Sequence, residues 1–255
     1  MVKKSSRLPI RSSAKPLSRG ADGHAMHNEI LLGLPRAEFD AVFAKLELLE
    51  MPTHGVLNDV GEPIEQCYFM NSGLASILSV LSDGKSVEVG LVGKEGFVGL
   101  PLVVGLKTSA TRAVIQIAGT AYRVTAANLA AVLRTCPQLE KSLNRYSQAF
   151  ALQATQVAAC NRVHDVEERM ARWLLMSQDR IGGDLVPLTQ EFLAHMLGTR
   201  RASVTVAAGI LQKAGLITYR RGAVKIMHRG NLEDAACECY EMLVSQGRNW
   251  KKESQ

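Results

Sequence analysis

The chain has 255 residues, enough for two domains of ordinary size, and 47% of them are apolar, which supports real cores. No apolar run approaches the roughly 18 residues that span a bilayer, and the opening residues lack the apolar stretch of a secretory signal. The expectation is a soluble cytoplasmic protein with no membrane partner. The net charge of +6 is unevenly placed. Residues 1–23 carry six Lys/Arg and one acid, and residues 189–230 carry seven Lys/Arg against Glu191 alone, so the remainder is net acidic. A folded basic region is the footprint of a phosphate-binding surface. The five cysteines are odd in number and irregular in spacing, which argues against a disulfide framework. Cys237-x-Cys239 is tighter than the usual two-residue spacing of zinc sites and reads as ordinary helix cysteines. His24, His27, His54, His164, His195 and His228 are scattered, so no metal site is expected.

Residues 1–23, rich in Ser, Lys, Arg and Pro, read as a disordered basic arm. Such an arm either adds nonspecific DNA affinity through counterion release or serves as a solubilising leader. Residues 28–50 read as helical, with Leu31, Leu32, Leu34, Phe39, Val42, Phe43, Leu46 and Leu49 near helical spacing. Residues 52–125 change character. Short runs at Cys67–Met70, Leu74–Leu81, Ser86–Val92, Val114–Ala118 and Ala121–Val124 lie between turn signals, which predicts an all-β barrel or sandwich. Asp83-Gly84 is a hairpin turn between two of them. Residues 126–179 return to helix. Leu139, Leu143, Tyr146, Phe150, Gln153, Val157 and Cys160 step by fours and threes, the a/d stripe of a helix that pairs with another helix. The stretch from Leu139 to Val157 is assigned as a dimer seam, the alternative being a helix packed on its own domain. Asp165 opens a further helix with a capping box completed by Glu168, which puts a hinge at Asn161–His164. Met170, Trp173, Leu174 and Met176 give that helix its buried face, and Gly182-Gly183 ends it.

The most informative stretch is Leu188–Leu211. Thr189 is a natural N-cap, Phe192, Leu193, Met196 and Leu197 point inward, and Gly198 allows a sharp turn. A second helix follows, with Val204, Ala207, Ala208 and Leu211 inside and Arg200, Arg201, Ser203, Thr205 and Val206 outside. This is a helix-turn-helix, sized for the DNA major groove. Beyond Gly215, Leu216–Tyr219 and Ala223–Ile226 read as a hairpin with Arg220-Arg221-Gly222 near its tip. A helix pair followed by a basic hairpin is a winged helix, and the tip arginines suit phosphates.

The order of these parts resembles the Crp/Fnr superfamily of bacterial transcription regulators over roughly residues 28–240. The motifs that carry the resemblance are Leu188–Leu211, Gln212-Lys213-Ala214-Gly215-Leu216-Ile217, Asp83–Gly90, and Glu62–Phe69 with Gly73. The resemblance implies an α+β protein with a cyclic-nucleotide-binding-like β-roll or jelly roll over residues 24–136 and a dimerisation helix and hinge over 137–164. A winged helix-turn-helix over 165–245 and a tail from 246 would complete it. It also implies a homodimer that binds double-stranded DNA through Thr189, Gln190, Arg200, Arg201, Ala202, Ser203, Thr205, Val206, Arg220 and Arg221, with RNA polymerase as a candidate partner.

Two departures from the family matter. Well-known members open the recognition helix with an Arg-Glu pair and place a second Arg one turn later, where this chain has Arg201, Ala202 and Val206. Arg201 still suits a guanine O6/N7 edge. In nucleotide-binding members a Glu takes the ribose and an Arg-Ser or Arg-Thr pair takes the phosphate. Here the effector pocket is assigned to Gly96, Phe97, Val98, Gly99 and Arg112, with apolar side chains where the Glu is expected. Neither cAMP nor cGMP is therefore expected, and no cofactor is assigned. The sequence has no P-loop, nucleophile elbow or dinucleotide fingerprint, so no enzymatic activity is expected. The competing reading is a ligand-binding or protein-interaction module whose winged helix no longer reads DNA.

Overall fold

The computed structural model describes residues 25–252, so the basic arm expected over residues 1–23 lies outside the described residues. Helix α1 (Glu29–Leu32) is capped by Asn28, whose Oδ1 accepts from the Leu31 amide at 3.1 Å. Helix α2 (Arg36–Phe43) starts directly after Pro35. The helical reading of residues 28–50 runs too far, because the chain is extended from Glu47. Strands β1 (Glu47–Met51), β2 (Val56–Asn58), β3 (Gln66–Met70), β4 (Leu74–Val80), β5 (Ser86–Val92) and β6 (Phe97–Val98) come next. Then follow α3 (Leu100–Val103), β7 (Arg112–Ile117) and β8 (Gly119–Thr125). Among the described residues these strands form two antiparallel sheets, ordered β1-β8-β3-β6 and β2-β7-β4-β5. Leu48 pairs with Tyr122 and Leu49 with Ala121. This nonlocal pairing overrides the helical spacing of the β1 leucines.

Met51, Met70, Val92, Ile115 and Ala121 fill the space between the sheets. Helices α4 (Ala126–Leu133) and α5 (Pro137–Val163) follow. With α1 and α2 they cover the outside of the first sheet through Leu31, Phe69, Tyr122, Leu129, Leu139 and Leu143. Each of these side chains contributes about 1.5–3 kcal/mol by leaving water.

Helix α5 has 27 residues and is about 40 Å long. The stripe assigned as a dimer seam packs within its own chain. Leu139 and Leu143 are fully buried against the roll, and Tyr146 and Phe150 pack on it. The ring of Phe150 lies so close over Gly90 that a Cβ there would force it to shift. Gln153 donates to the Leu91 carbonyl at 3.2 Å, and Val157 is buried. A stripe at a/d spacing defines a face that must be covered, and the roll covers it. The exposed face carries Lys141, Asn144, Gln148, Ala151, Thr155, Ala158 and Arg162.

The C-terminal unit contains α6 (Val166–Ile181), β9 (Leu185–Pro187), α7 (Gln190–Met196), α8 (Arg201–Lys213), β10 (Ile217–Arg220), β11 (Ala223–Ile226), α9 (Arg229–Asp234) and α10 (Cys239–Lys252). The Asp165–Glu168 capping box opens α6, and Gly182, left-handed at φ 72°, closes it. The break expected over Asn161–His164 is shorter than that, because α5 stays helical through Val163 and only His164 separates it from the Asp165 cap of α6. Strand β9 adds a third member to the wing, giving the order β10-β11-β9. Helix α10 continues to Lys252, past the residue 246 start expected for a tail. Leu74, Leu78 and Leu91 of the roll share one apolar cluster with Met170, Trp173 and Leu174 of α6 and Leu211 of α8, so the two units meet across a continuous core.

Candidate nucleic-acid interface

Thr189 caps α7, its Oγ1 accepting from the Phe192 amide at 3.2 Å. The turn at Gly198 has φ 56°, a conformation that glycine adopts without steric cost. Arg200 then takes the cap position of α8 without a side-chain cap bond, so the Arg201 and Ala202 amides at the helix start have no intrahelical partner. Val204, Ala207, Ala208 and Leu211 are buried and hold α8 against α6 and α7.

The opposite face of α8 is open. Arg200, Arg201, Ala202, Thr205 and Val206 are exposed, and Ser203 is half-buried. The Arg201 guanidinium lies 4.0 Å from Glu191, with both side chains well exposed, so the pair leaves it free to move. Thr205 Oγ1 lies 2.8 Å from Gln190 Oε1 and 3.0 Å from the Arg201 carbonyl, and its single proton serves one acceptor at a time. Gln190 is therefore drawn onto the same surface. Ile210, exposed one turn beyond Val206, extends this face. The sequence reading missed it, although its i+4 spacing from Val206 marks it.

The wing projects beside α8. Arg220 pairs with Ala223 across the hairpin, leaving Arg221-Gly222 as a two-residue turn with φ 50° and 76°. Positive φ at both positions is the type I′ turn that suits hairpin twist. Both arginines are exposed at the tip. Tyr219 fixes the wing to the helix pair, its hydroxyl donating to the Leu188 carbonyl at 3.1 Å and its amide to Gln212 Oε1 at 2.7 Å. Partial burial raises its phenol above the ordinary range.

The residues assigned to the effector pocket do not all converge. A cavity of about 300 Å³ lies between the roll and α5. Phe97, Val98 and Gly99 line it, together with Ser109, Thr111 and Phe150. Gly96 instead packs against the Tyr146 ring. Arg112 does not line the cavity. It makes a two-pronged salt bridge to Asp59, at 2.9 and 2.8 Å, and holds that carboxyl below its usual range. Thr111 next to it does reach the cavity, while the Arg112 guanidinium is turned away toward Asp59. No charged residue lines the cavity.

Three polar links join the roll to the C-terminal unit. Glu88 on β5 is fully buried and accepts from Trp173 Nε1 of α6 at 2.8 Å and from Ser76 Oγ at 2.6 Å. Burial pushes its carboxyl up from the ordinary 4.5 to about 7, against the pull of these hydrogen bonds and of Arg172. Arg180 of α6 donates to Glu95 at 2.9 Å and to Gln153 Oε1 at 2.8 Å, tying roll, α5 and α6 together. On the other side, Ser86 Oγ and His195 Nε2 are 2.6 Å apart, which brings α7 onto β5.

These features define a class: a double-sheet roll joined by a long helix to a three-stranded winged helix-turn-helix. A cyclic nucleotide-binding domain model matches residues 49–136, and a Crp-like helix-turn-helix domain model matches residues 168–235. The chain belongs to the Crp/Fnr superfamily, in which these two domains are paired in this order. No curated protein matches it. Among solved structures it is similar to the c-di-GMP responsive global regulator CLP of Xanthomonas campestris, with 19% identity, a TM-score of 0.63, and 76% of this chain and 100% of that one covered. It is also similar to FixK2 from Bradyrhizobium japonicum, with 17% identity, a TM-score of 0.64, and 75% and 98% covered. A CRP-family transcriptional regulator from Thermus thermophilus, TTHB099, gives 19% identity, a TM-score of 0.60, and 74% and 96% covered. At such identities the likeness is one of fold.

Proposed function

We propose that the protein is a homodimeric, sequence-specific DNA-binding regulator of transcription. The observation that carries this reading is the surface of α8: Arg200, Arg201, Ala202, Thr205 and Val206 stand exposed on one face while the opposite face is locked into the core. Arg201 takes a guanine edge, Val206 meets a thymine methyl, and the arginines of the wing take phosphates. Groove-reading helices work in twofold-related pairs. The exposed face of α5 around Ala151, Thr155 and Ala158 supplies small side chains that let a second α5 approach. The cavity between the roll and α5 has no cation for a cyclic phosphate, so the effector is an uncharged molecule or the roll is a scaffold. An effector there touches Phe150 on the helix that leads to the hinge, and it acts by shifting populations between arrangements of the two units.

Titration of a labelled mixed-sequence duplex at rising salt tests the reading. The expected result is an affinity that falls linearly with salt on logarithmic axes, as released counterions require. Undetectable or salt-independent binding favours the interaction-module reading instead.

A further inference from the structure

Four side chains that the sequence scatters converge beside the hinge. Cys160 and His164 sit one turn apart at the end of α5, while Cys237 precedes α10 and Cys239 opens it. Their ligand atoms all lie within 4.8 Å of one another. Cys160 Sγ is 3.5 Å from Cys237 Sγ, and Cys239 Sγ is 3.6 Å from His164 Nδ1. All five cysteines of the chain are free thiols, so no disulfide accounts for the grouping. We propose that Cys160, His164, Cys237 and Cys239 form a tetrahedral zinc site that clamps the end of the long helix to the start of α10.

The Cys160–Cys237 and Cys239–His164 separations of 3.5 and 3.6 Å fit the ion. Zinc bonds of about 2.3 Å to sulfur and about 2.0 Å to nitrogen set tetrahedral edges of about 3.5–3.8 Å. The donor set, three thiolates and one imidazole, is a common structural one with no position left open for chemistry. The surroundings are also those of a metal histidine. His164 presents Nδ1 to the sulfurs while Nε2 lies 3.0 Å from the Glu238 carboxylate, an outer partner that fixes tautomer and ring orientation. Three thiolates and one imidazole leave the zinc centre with one net negative charge. The buried Arg169 and Arg172 act electrostatically on Cys160 and offset that charge. Gln156 Nε2 points at Cys239 Sγ from 3.0 Å, as amides do toward metal-bound sulfur. His164 is also the last residue before Asp165, the cap of α6. An ion here therefore stiffens the junction between the two units, whether or not the winged helix binds DNA.

Metal analysis of the full-length protein, followed by stripping, reduction and titration with Co2+, tests the proposal. The expected result is about one zinc per chain as purified. The stripped protein should take up Co2+ with thiolate charge-transfer absorption and intense tetrahedral d–d bands. Cys160→Ser and Cys239→Ser should lose the stoichiometric metal, whereas Cys136→Ser, whose thiol is buried elsewhere, should keep it. His164→Cys, which keeps four donors, should bind with stronger charge transfer, so that loss of metal is separable from loss of fold. A wild-type chain that takes up no Co2+, or one whose uptake survives Cys160→Ser, overturns the proposal. So does a Cys160–Cys237 disulfide in protein that still binds no Co2+ once reduced.

Discussion

Among the residues of α8, Arg201 stands out because it is the long donor that α8 offers to a base edge near its start. Well-known relatives carry two further charged groups on this helix, where this chain has Ala202 and Val206. Arg201→Ala should therefore cost about 1–3 kcal/mol at a cognate site and relax preference at one base pair. Competition binding against duplexes varied at each position measures both effects, and unchanged affinity and preference would remove Arg201 from the interface. The exposed placement of this residue was available from sequence because it follows from local spacing: a cap, a glycine turn and the inside-outside pattern of one helix. Arg112 was not legible in the same way. Its partner Asp59 is 53 positions away, and only the pairing of β2 with β7 brings the two together. The zinc ligands were hidden for the same reason, since Cys160 and Cys237 are 77 positions apart and each half of the set looks ordinary alone.

At the scale of elements, α5 shows what periodicity does and does not reveal. The stripe from Leu139 to Val157 correctly marks a buried face, but spacing carries no information on whether a second chain or the roll covers it. The packing of Phe150 on Gly90 settles it for the roll. Gly90→Ala should push a methyl into the Phe150 ring and destabilise the protein by about 1–3 kcal/mol, read as a lower urea midpoint. An unchanged midpoint would mean that α5 is not seated as described. The short elements escaped the sequence for a different reason. Strands β2 and β9 have three residues each, too few for alternation to register, and they exist because β7 and β11 offer edges to pair with. The β4–β5 hairpin, by contrast, was legible from Asp83-Gly84 alone.

The whole molecule is held by contacts between its two units, and among them Glu88 is a carboxyl that burial shifts far from its ordinary range. Its carboxyl is raised to about 7 by burial, so the folded state favours the protonated acid. The sign follows from that: below about pH 4.5 the group is protonated in both folded and unfolded chains and carries no penalty. As pH rises toward and past 7 the fold must bury a charge. Its contribution to stability therefore falls over this window, by an amount on the order of 3 kcal/mol when fully ionised. Glu88→Gln should flatten the pH dependence of stability between about 5 and 8, and an unaltered profile would show that Glu88 is not the buried acid of the interface. Trp173 fluorescence should follow the same titration, because its indole donates to this carboxyl.

The domain order and the recognition unit were legible because each depends on local pattern, while the docking of the roll on α6 and α7 depends on nonlocal contacts such as Glu88–Trp173 and Ser86–His195. The central claim is that this docked pair of units presents α8 to DNA as half of a symmetric reader. Selection of duplexes from a random pool by the full-length protein tests it most directly. The expected product is a twofold-symmetric sequence whose half-sites are centred about one helical turn, roughly 10 base pairs, apart. A pool no more enriched than one carried through without protein, or a motif with no symmetry, would contradict it.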